Sequence, residues 1–424
     1  MLDIKLIKKE PKAMQESLAK KGFIIDFTEI LERESKKNVL LHEAGELRNK
    51  RNILSKEIGA AIQKGENADE IKEKVNNVND KIAKIENEIN ILEEKNKEIL
   101  IALPNPSTDD TPAGGKENNE IISHFGAKPN FVFKPKNHIE LCQMHGLIDY
   151  EKGAKIGGSG NWIYTDRGAR LEWALLNYFI ESHLADRWEM MLIPHVLNET
   201  CGTVAGQFPK FADDVFHLEG KGKFLLPTAE TALVNLHNNE ILNEKDLPKK
   251  YFAFTPCYRK EAGGGHADER GMIRGPQFNK VELVQFAHPD NSEAEHKKML
   301  EKAEKLVQGL GLHYRVSRLA AEDCSWSMAS TYDVEVWIPS MQIYKEVSSA
   351  SNAGDYQARR GGARFKDKDT KENRFLHTLN ASGLATSRIF PALLEQHQQA
   401  DGSIKIPECL VKYTGFDRIC DEKI

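Results

Sequence analysis

Positions 255–286 read TPCYRKEAGGGHADERGMIRGPQFNKVELVQF, a segment that gathers Arg259, Glu261, Arg270, Arg274 and Glu282. A guanidinium offers a planar fork to phosphate or carboxylate oxygens, and a carboxylate can hold an amino group. An apolar run up to Arg259, glycines at 263–265 and a return through Phe278 to Glu282 and Gln285 predict strand, loop, strand. On such a strand Arg259 and Glu261, two apart, share a face. The same residues could form a plain Arg–Glu ladder across a hairpin. Three arginines around a glycine loop, with Arg388 further on, favour a polyanionic ligand instead. No G-x-x-x-x-G-K-[ST] and no H-E-x-x-H occurs, so nucleotide chemistry here must be built on a sheet with arginines. The glycine-rich IGGSGNW (156–162) does not match G-x-G-x-x-G and reads as a turn.

These residues need a scaffold. Short apolar runs, FVF (131–133), YFAFT (251–255), VELVQFA (281–287), YDVEVWIP (332–339) and QIYKEV (342–347), predict strands. Helical stretches lie at 168–184, 291–310 and 383–399. With few βαβ alternations, the pattern predicts an α+β domain over 121–424 on a mainly antiparallel sheet flanked by helices.

The first hundred residues differ. Residues 31–100 hold no proline and no aromatic residue, and 29 of the 70 are charged. Leu40, Ala44, Leu47, Leu54, Ile58 and Ala61 form a narrow apolar seam, with Arg51 as its polar position. After Lys64–Asn67 the seam restarts at Ile71, Val75, Val78, Ile82, Ile85, Ile89 and Leu92, and Asn67 is placed to cap the second helix, with Glu70 three residues on. The short break predicts an antiparallel coiled-coil hairpin reaching about 50 Å within a domain of residues 1–102. A linker, LPNPSTDDTPAGGKENNE (103–120), ends it.

Composition sets bounds. The 424 residues carry a net charge of −5, which by itself argues against a general nucleic-acid binder. Residues 33–56 are the exception: Arg33, Lys36, Lys37, Arg48, Lys50, Arg51 and Lys56 outnumber Glu34, Glu43 and Glu46, and such a face suits a phosphate backbone. Six scattered cysteines, the nearest pair eleven apart, exclude CxxC motifs and fit a cytoplasmic location. No run is long and apolar enough to span a bilayer, and the start MLDIKLIKKEPK lacks a secretory signal's apolar core.

The segment Tyr258-Arg259-Lys260-Glu261 … Arg274-Gly275-Pro276-Gln277-Phe278 resembles motif 2 of class II aminoacyl-tRNA synthetases. LNASGLATSRIFPALLEQHQQ (379–399) resembles motif 3, a glycine turn leading to Arg388 on a helix, and RWEMMLIPHV (187–196) resembles motif 1. LLPTAE (225–230), TYDVEVWIP (331–339), KEVSSASN (345–352), HTLNASGLA (377–385), the arm and the linker are similar to the seryl-tRNA synthetase family, so the likeness covers essentially the whole chain.

The resemblance implies ATP-dependent activation of L-serine and its transfer to the 3′-terminal adenosine of tRNA(Ser), with tRNA(Sec) left open, by a homodimer. Arg259 would grip the α-phosphate and the serine carboxylate, and Arg274 and Arg388 the β/γ end of ATP, so Arg259 and Arg388 are the catalytic candidates. Glu261 and Phe278 would address adenine, with Lys260, Val347 and Ser348 among the ATP contacts. Glu346 and Ser349 would bind Mg²⁺ and ATP. Thr228, Ala229, Glu230, Glu282 and Ser382 would form the serine pocket. The basic arm residues would meet tRNA. Pro276, Ser387, Ala350, Ala381 and EDCSWSMAS (322–330) depart from the family's usual pattern without removing a ligand, and Trp326 reads as an ordinary packing aromatic.

Overall fold

The computed structural model describes residues 1–220, 222–261 and 271–420; Arg270 and glycines 263–265 lie outside the described residues. The chain forms two compact units, one of residues 1–16 and 23–103, the other of residues 17–22 and 104–424.

The first unit is built on two long helices, α1 (Thr28–Lys64) and α2 (Asp69–Ala102). Gly65 ends α1 in the left-handed region at φ 73°, a conformation glycine adopts without a Cβ penalty. The Asn67 side chain accepts from the Asp69 amide at 2.8 Å, although the cap position itself is Ala68. Every seam residue named from the sequence is buried or half-buried, Ala44, Ala61, Val78, Ile82 and Ile89 most fully. Arg33 meets Asn96 at 3.3 Å while Arg48 meets Glu86 at 2.6 Å, so residues further along α1 face residues earlier in α2 and the hairpin is antiparallel. Buried Asn96 also donates to the Ile30 carbonyl at 3.2 Å, a polar contact that fixes register in an otherwise apolar seam.

Charge on the arm is less one-sided than α1 alone suggests. Arg33 pairs with Glu29, Lys36 with Glu88 at 2.6 Å, Lys37 with Glu34 and Glu93, and Arg48 with Glu86. Three of those acids come from α2, which a count along α1 omits. Lys50, Arg51 and Lys56 form no ion pair with the described residues.

In the second unit, helices α3 (Asp166–Ala185), α4 (Ser292–Gly309) and α5 (Thr386–His397) pack on an eight-stranded sheet. Its strands are β1 (Glu120–Phe125), β2 (Glu189–Met190), β3 (Lys249–Tyr258), β4 (Gln277–Ala287), β5 (Tyr314–Arg318), β6 (Ser330–Ile338), β7 (Ile343–Asn352) and β8 (His377–Ala385). Their order is β1-β5-β6-β7-β8-β4-β3-β2, antiparallel except for the β2–β3 pair. Alternation divides most of the strand residues between two faces. Val281 and Leu283 of β4, Val334 and Val336 of β6, and Leu379 and Ala381 of β8 turn to the core, against Leu175 and Phe179 of α3 and Leu306 of α4. Their neighbours Lys280, Glu282, Asp333, Glu335, Asn380 and Ser382 turn to the opposite face.

Three local expectations are corrected. FVF at 131–133 forms no strand; its two phenyl rings meet at 5.2 Å instead. Gly383 lies inside β8, not in a turn, and its missing side chain makes room for His183 of α3: a Cβ there would stand 2.4 Å from the imidazole Nε2. Strand β3 stops at Tyr258, and Glu261 has φ 51°, so Arg259 and Glu261 are not strand neighbours. The motif 1-like segment holds only short strands, Glu189–Met190 and Val196–Asn198, on either side of Pro194.

Candidate active site

The polar face of the sheet is the floor of a cavity of about 1020 Å³. Arg259, Glu261, Arg274, Phe278, Glu282, Thr228, Glu230, Glu346, Val347, Ser349, Ser382 and Arg388 all line it, so residues up to 160 positions apart in the chain converge.

Arg259 leaves the end of β3 with its Nε 3.3 Å from the Pro227 carbonyl and its guanidinium 5.1 Å from the centre of the Phe278 ring. An aromatic face and a phosphate-binding fork thus stand side by side, an arrangement suited to a nucleotide. Arg274 pairs with Glu261 across the base of the loop. The Arg259 amide donates to the Pro276 carbonyl at 2.9 Å, so the unusual proline still closes this hairpin. IGGSGNW begins as the end of a helix, Tyr150–Gly157, and turns only from Gly158 on; Trp162 at its end lies over Gly275, where any Cβ would meet the indole at 2.3 Å.

At the closed end of the cavity, Glu230 and Glu282 are held by one amide: Asn380 Nδ2 is 3.3 Å from an oxygen of each. Gln357 donates to Glu230 at 2.8 Å, and Lys280 pairs with Glu282. Burial, reinforced by the nearby Glu282 charge, pushes the Glu230 carboxyl up to about 7. The pocket therefore offers carboxylates to a small cation while holding part of its own charge in check.

Arg388 sits in the first turn of α5, donating to the Glu346 carbonyl at 2.8 Å and lying 3.4 Å from its carboxylate. Glu172 of α3 anchors that turn, accepting from Thr386 at 2.7 Å and from Asn279 of β4 at 2.8 Å, so one buried carboxyl ties the motif 2 and motif 3 elements together. Glu346 and Ser349, three apart, would face opposite ways on a regular strand. A register shift puts Ser349 opposite Asp333 and Glu346 opposite Glu335, leaving Val347 unpaired as a bulge. Both side chains then reach the cavity, and the Ser349 hydroxyl donates to Glu346 at 3.0 Å. Burial pushes Glu346 up, but the Arg388 guanidinium and the Ser349 hydroxyl outweigh it and hold the carboxyl below its ordinary range. An anionic carboxylate beside a hydroxyl is a hard oxygen pair, which fits Mg²⁺.

Three expected contacts fall elsewhere. Ala229 is fully buried, Lys260 is exposed with its amide on the Asp214 carbonyl, and Ser348 turns its hydroxyl to the Ser382 carbonyl at 2.7 Å; none lines the cavity. Each is a chain neighbour of a residue that does, so it points away. Gln285, on the core side of β4, binds Glu295 at 2.7 Å. Residues the sequence reading did not single out are Lys280, Asp333, Asn380 and Trp162; strict alternation from Glu282 and Ser382 would have flagged Lys280 and Asn380.

A sheet-floored cavity with paired arginines and acids is the arrangement of a class II synthetase core, and residues 216–397 match the model for the tRNA synthetase class II core domain (G, H, P, S and T). Residues 1–107 match the seryl-tRNA synthetase N-terminal domain. The chain is 54% identical over 425 residues to serine–tRNA ligase 2 of Clostridium acetobutylicum, covering 99% of this chain and all of the relative. It is 41% identical to serine–tRNA ligase of Thermodesulfovibrio yellowstonii, over 99% of this chain and all of that one. The structure of seryl-tRNA synthetase from Pyrococcus horikoshii complexed with ATP superposes with a TM-score of 0.92 at 34% identity, covering 100% of both chains. The chain belongs to the seryl-tRNA synthetase family.

Proposed function

We propose that the protein activates L-serine with ATP to seryl-adenylate and transfers the seryl group to the 3′-terminal adenosine of tRNA(Ser). The observation that carries this reading is the convergence of Arg259, Arg274 and Arg388 with the Glu230–Glu282 pair in one cavity. The serine carboxylate attacks the α-phosphorus and pyrophosphate departs. The ribose hydroxyl of tRNA then attacks the acyl carbon, and AMP leaves. Arg259 stabilises the charge that builds on the α-phosphate, while Arg274 and Arg388 hold the β/γ end, so positioning and electrostatics carry the step without a covalent nucleophile. Phe278 takes the adenine ring and Glu261 its exocyclic amine. Glu346 and Ser349 would hold Mg²⁺, which would neutralise phosphate charge when bound. Thr228, Glu282 and Ser382 address the serine side chain, and Glu230 its ammonium. A pocket built to hydrogen-bond a hydroxyl rejects alanine, whose binding leaves buried polar groups unpaired.

The arm is assigned to tRNA, with Lys50, Arg51 and Lys56 favoured over the basic residues paired within the hairpin. Exposed Met190, Leu192 and Val196 in the motif 1-like segment support a homodimer through that region. No described helix is long and apolar enough to cross a membrane; the assigned reaction supports a cytoplasmic location. Serine-dependent exchange of pyrophosphate into ATP tests activation; transfer to tRNA(Ser) separates a ligase from an enzyme that charges another carrier.

Glu230 gives the reaction a pH signature. Its carboxyl, raised to about 7 from the usual 4.5, is neutral in acid. It therefore favours the empty fold below pH 4.5 and loses that contribution as pH rises to 7. An ammonium beside it favours the carboxylate, so serine binding at pH 6 expels most of one proton and affinity rises about tenfold per unit up to pH 7. Calorimetry in buffers of different ionisation enthalpy reads the proton, and Glu230→Gln should abolish it. Proton release that persists in that variant contradicts the assignment.

A further inference from the structure

We infer that Asp333 is a positioning residue for the divalent cation: it accepts the hydroxyl proton of Ser349, freeing Ser349 and Glu346 to turn oxygens toward one ion. The inference rests on the assignment of Glu346 and Ser349 to Mg²⁺. A serine hydroxyl has one proton, and here it is committed to Glu346 Oε1 at 3.0 Å, while the Glu346 Oε2 atom faces Arg388. If both residues are to ligate through oxygen, that proton must find another acceptor, or the ion must compete with it for the carboxylate.

Among the described residues, Asp333 can take it, since its side chain already lies within hydrogen-bonding reach of Ser349. Asp333 stands directly opposite Ser349 in the β6–β7 register, on the cavity face, with 7% of its surface exposed. Its Oδ1 is buried without a hydrogen-bond partner among the described residues. The other polar groups on this patch are engaged: Thr331 and Ser351 bond each other at 3.0 Å, and Glu335 Oε2 accepts from Arg315 and Ser317 at 2.6 Å each. A buried orphan oxygen costs free energy unless some state of the protein uses it, and partners behind a metal ligand fix its orientation. Accepting a hydroxyl proton needs one oxygen, which a carboxyl supplies in either protonation state and an asparagine amide supplies as well.

The test is Mn²⁺ binding, read by electron paramagnetic resonance, to the full chain with a non-hydrolysable ATP analogue. Asp333→Ala should weaken Mn²⁺ binding about 10- to 100-fold. Asp333→Asn should stay within about threefold of the parent, because it keeps an acceptor. Serine binding and thermal melting confirm that each variant folds, and Glu346→Ala serves as the reference loss. If Glu346→Ala loses Mn²⁺ but Asp333→Ala does not, the role of Asp333 is overturned while the cation site stands. If Asp333→Asn is as weak as Asp333→Ala, charge and not proton acceptance is at work, and the inference is again overturned. If Glu346→Ala binds Mn²⁺ normally, the cation assignment itself fails.

Discussion

Arg259→Ala lowers serine-dependent ATP–pyrophosphate exchange by on the order of 10³-fold, about 4 kcal/mol of transition-state stabilisation. The size follows from placement. Arg259 stands beside Phe278 at the open end of β3, where an α-phosphate and a carboxylate can share one fork. Among the described residues, the other two arginines of the motifs stand elsewhere in the cavity, Arg274 against Glu261 and Arg388 against Glu346. The side chain is exposed, so its loss empties no core and the melting temperature should hold. Arg259→Lys should recover little, because an ammonium is a point charge without the bidentate geometry. Near-normal exchange by Arg259→Ala would remove this residue from the chemistry.

Deleting residues 31–101 and joining the ends spares exchange to within a few-fold but reduces charging of tRNA(Ser) by two orders of magnitude or more. The hairpin is part of a compact unit of its own, and none of its residues lines the cavity, so adenylate formation has no use for it. Asn96 bonded to Ile30 puts the two helices side by side about two turns from the second cut, so a join of a few glycines closes the gap. What is lost is the long arm proposed to meet a phosphate backbone through Lys50, Arg51 and Lys56, and such contacts sum. Charging and exchange measured on one preparation give the comparison. Charging at the parental rate would make the arm structural only.

Much of this site is legible in the sequence because strands announce themselves by alternation. In the run 281–287, Val281, Leu283 and Ala287 mark the core side, and Glu282 stands between them where the sheet faces the cavity. What periodicity could not give is the exception to it. The bulge at Val347 re-aims Glu346 toward Ser349, and one unpaired residue leaves no mark in the order of apolar and polar types. The same one-residue precision explains why Ala229, Lys260 and Ser348, adjacent to true lining residues, turn out to face away. FVF at 131–133 has strand composition but no partner strand, and a strand exists only by pairing. The arm shows the opposite limit: its helices and seam are plain from spacing, yet the charge its surface presents cannot be read from α1 alone, because Glu86, Glu88 and Glu93 arrive from the facing helix.

The decisive measurement is exchange of labelled pyrophosphate into ATP with serine, threonine, alanine and glycine offered in turn. The pocket proposed for serine, lined by Thr228, Glu230, Glu282, Asn380 and Ser382, presents buried hydrogen-bonding groups suited to a hydroxyl. Serine should therefore support exchange with kcat/KM at least about 10³-fold above alanine and glycine, which leave those groups unpaired. Threonine, whose extra methyl must enter the closed end, should fall well below serine. Exchange that is equal for serine and alanine, or absent with serine, would contradict the account.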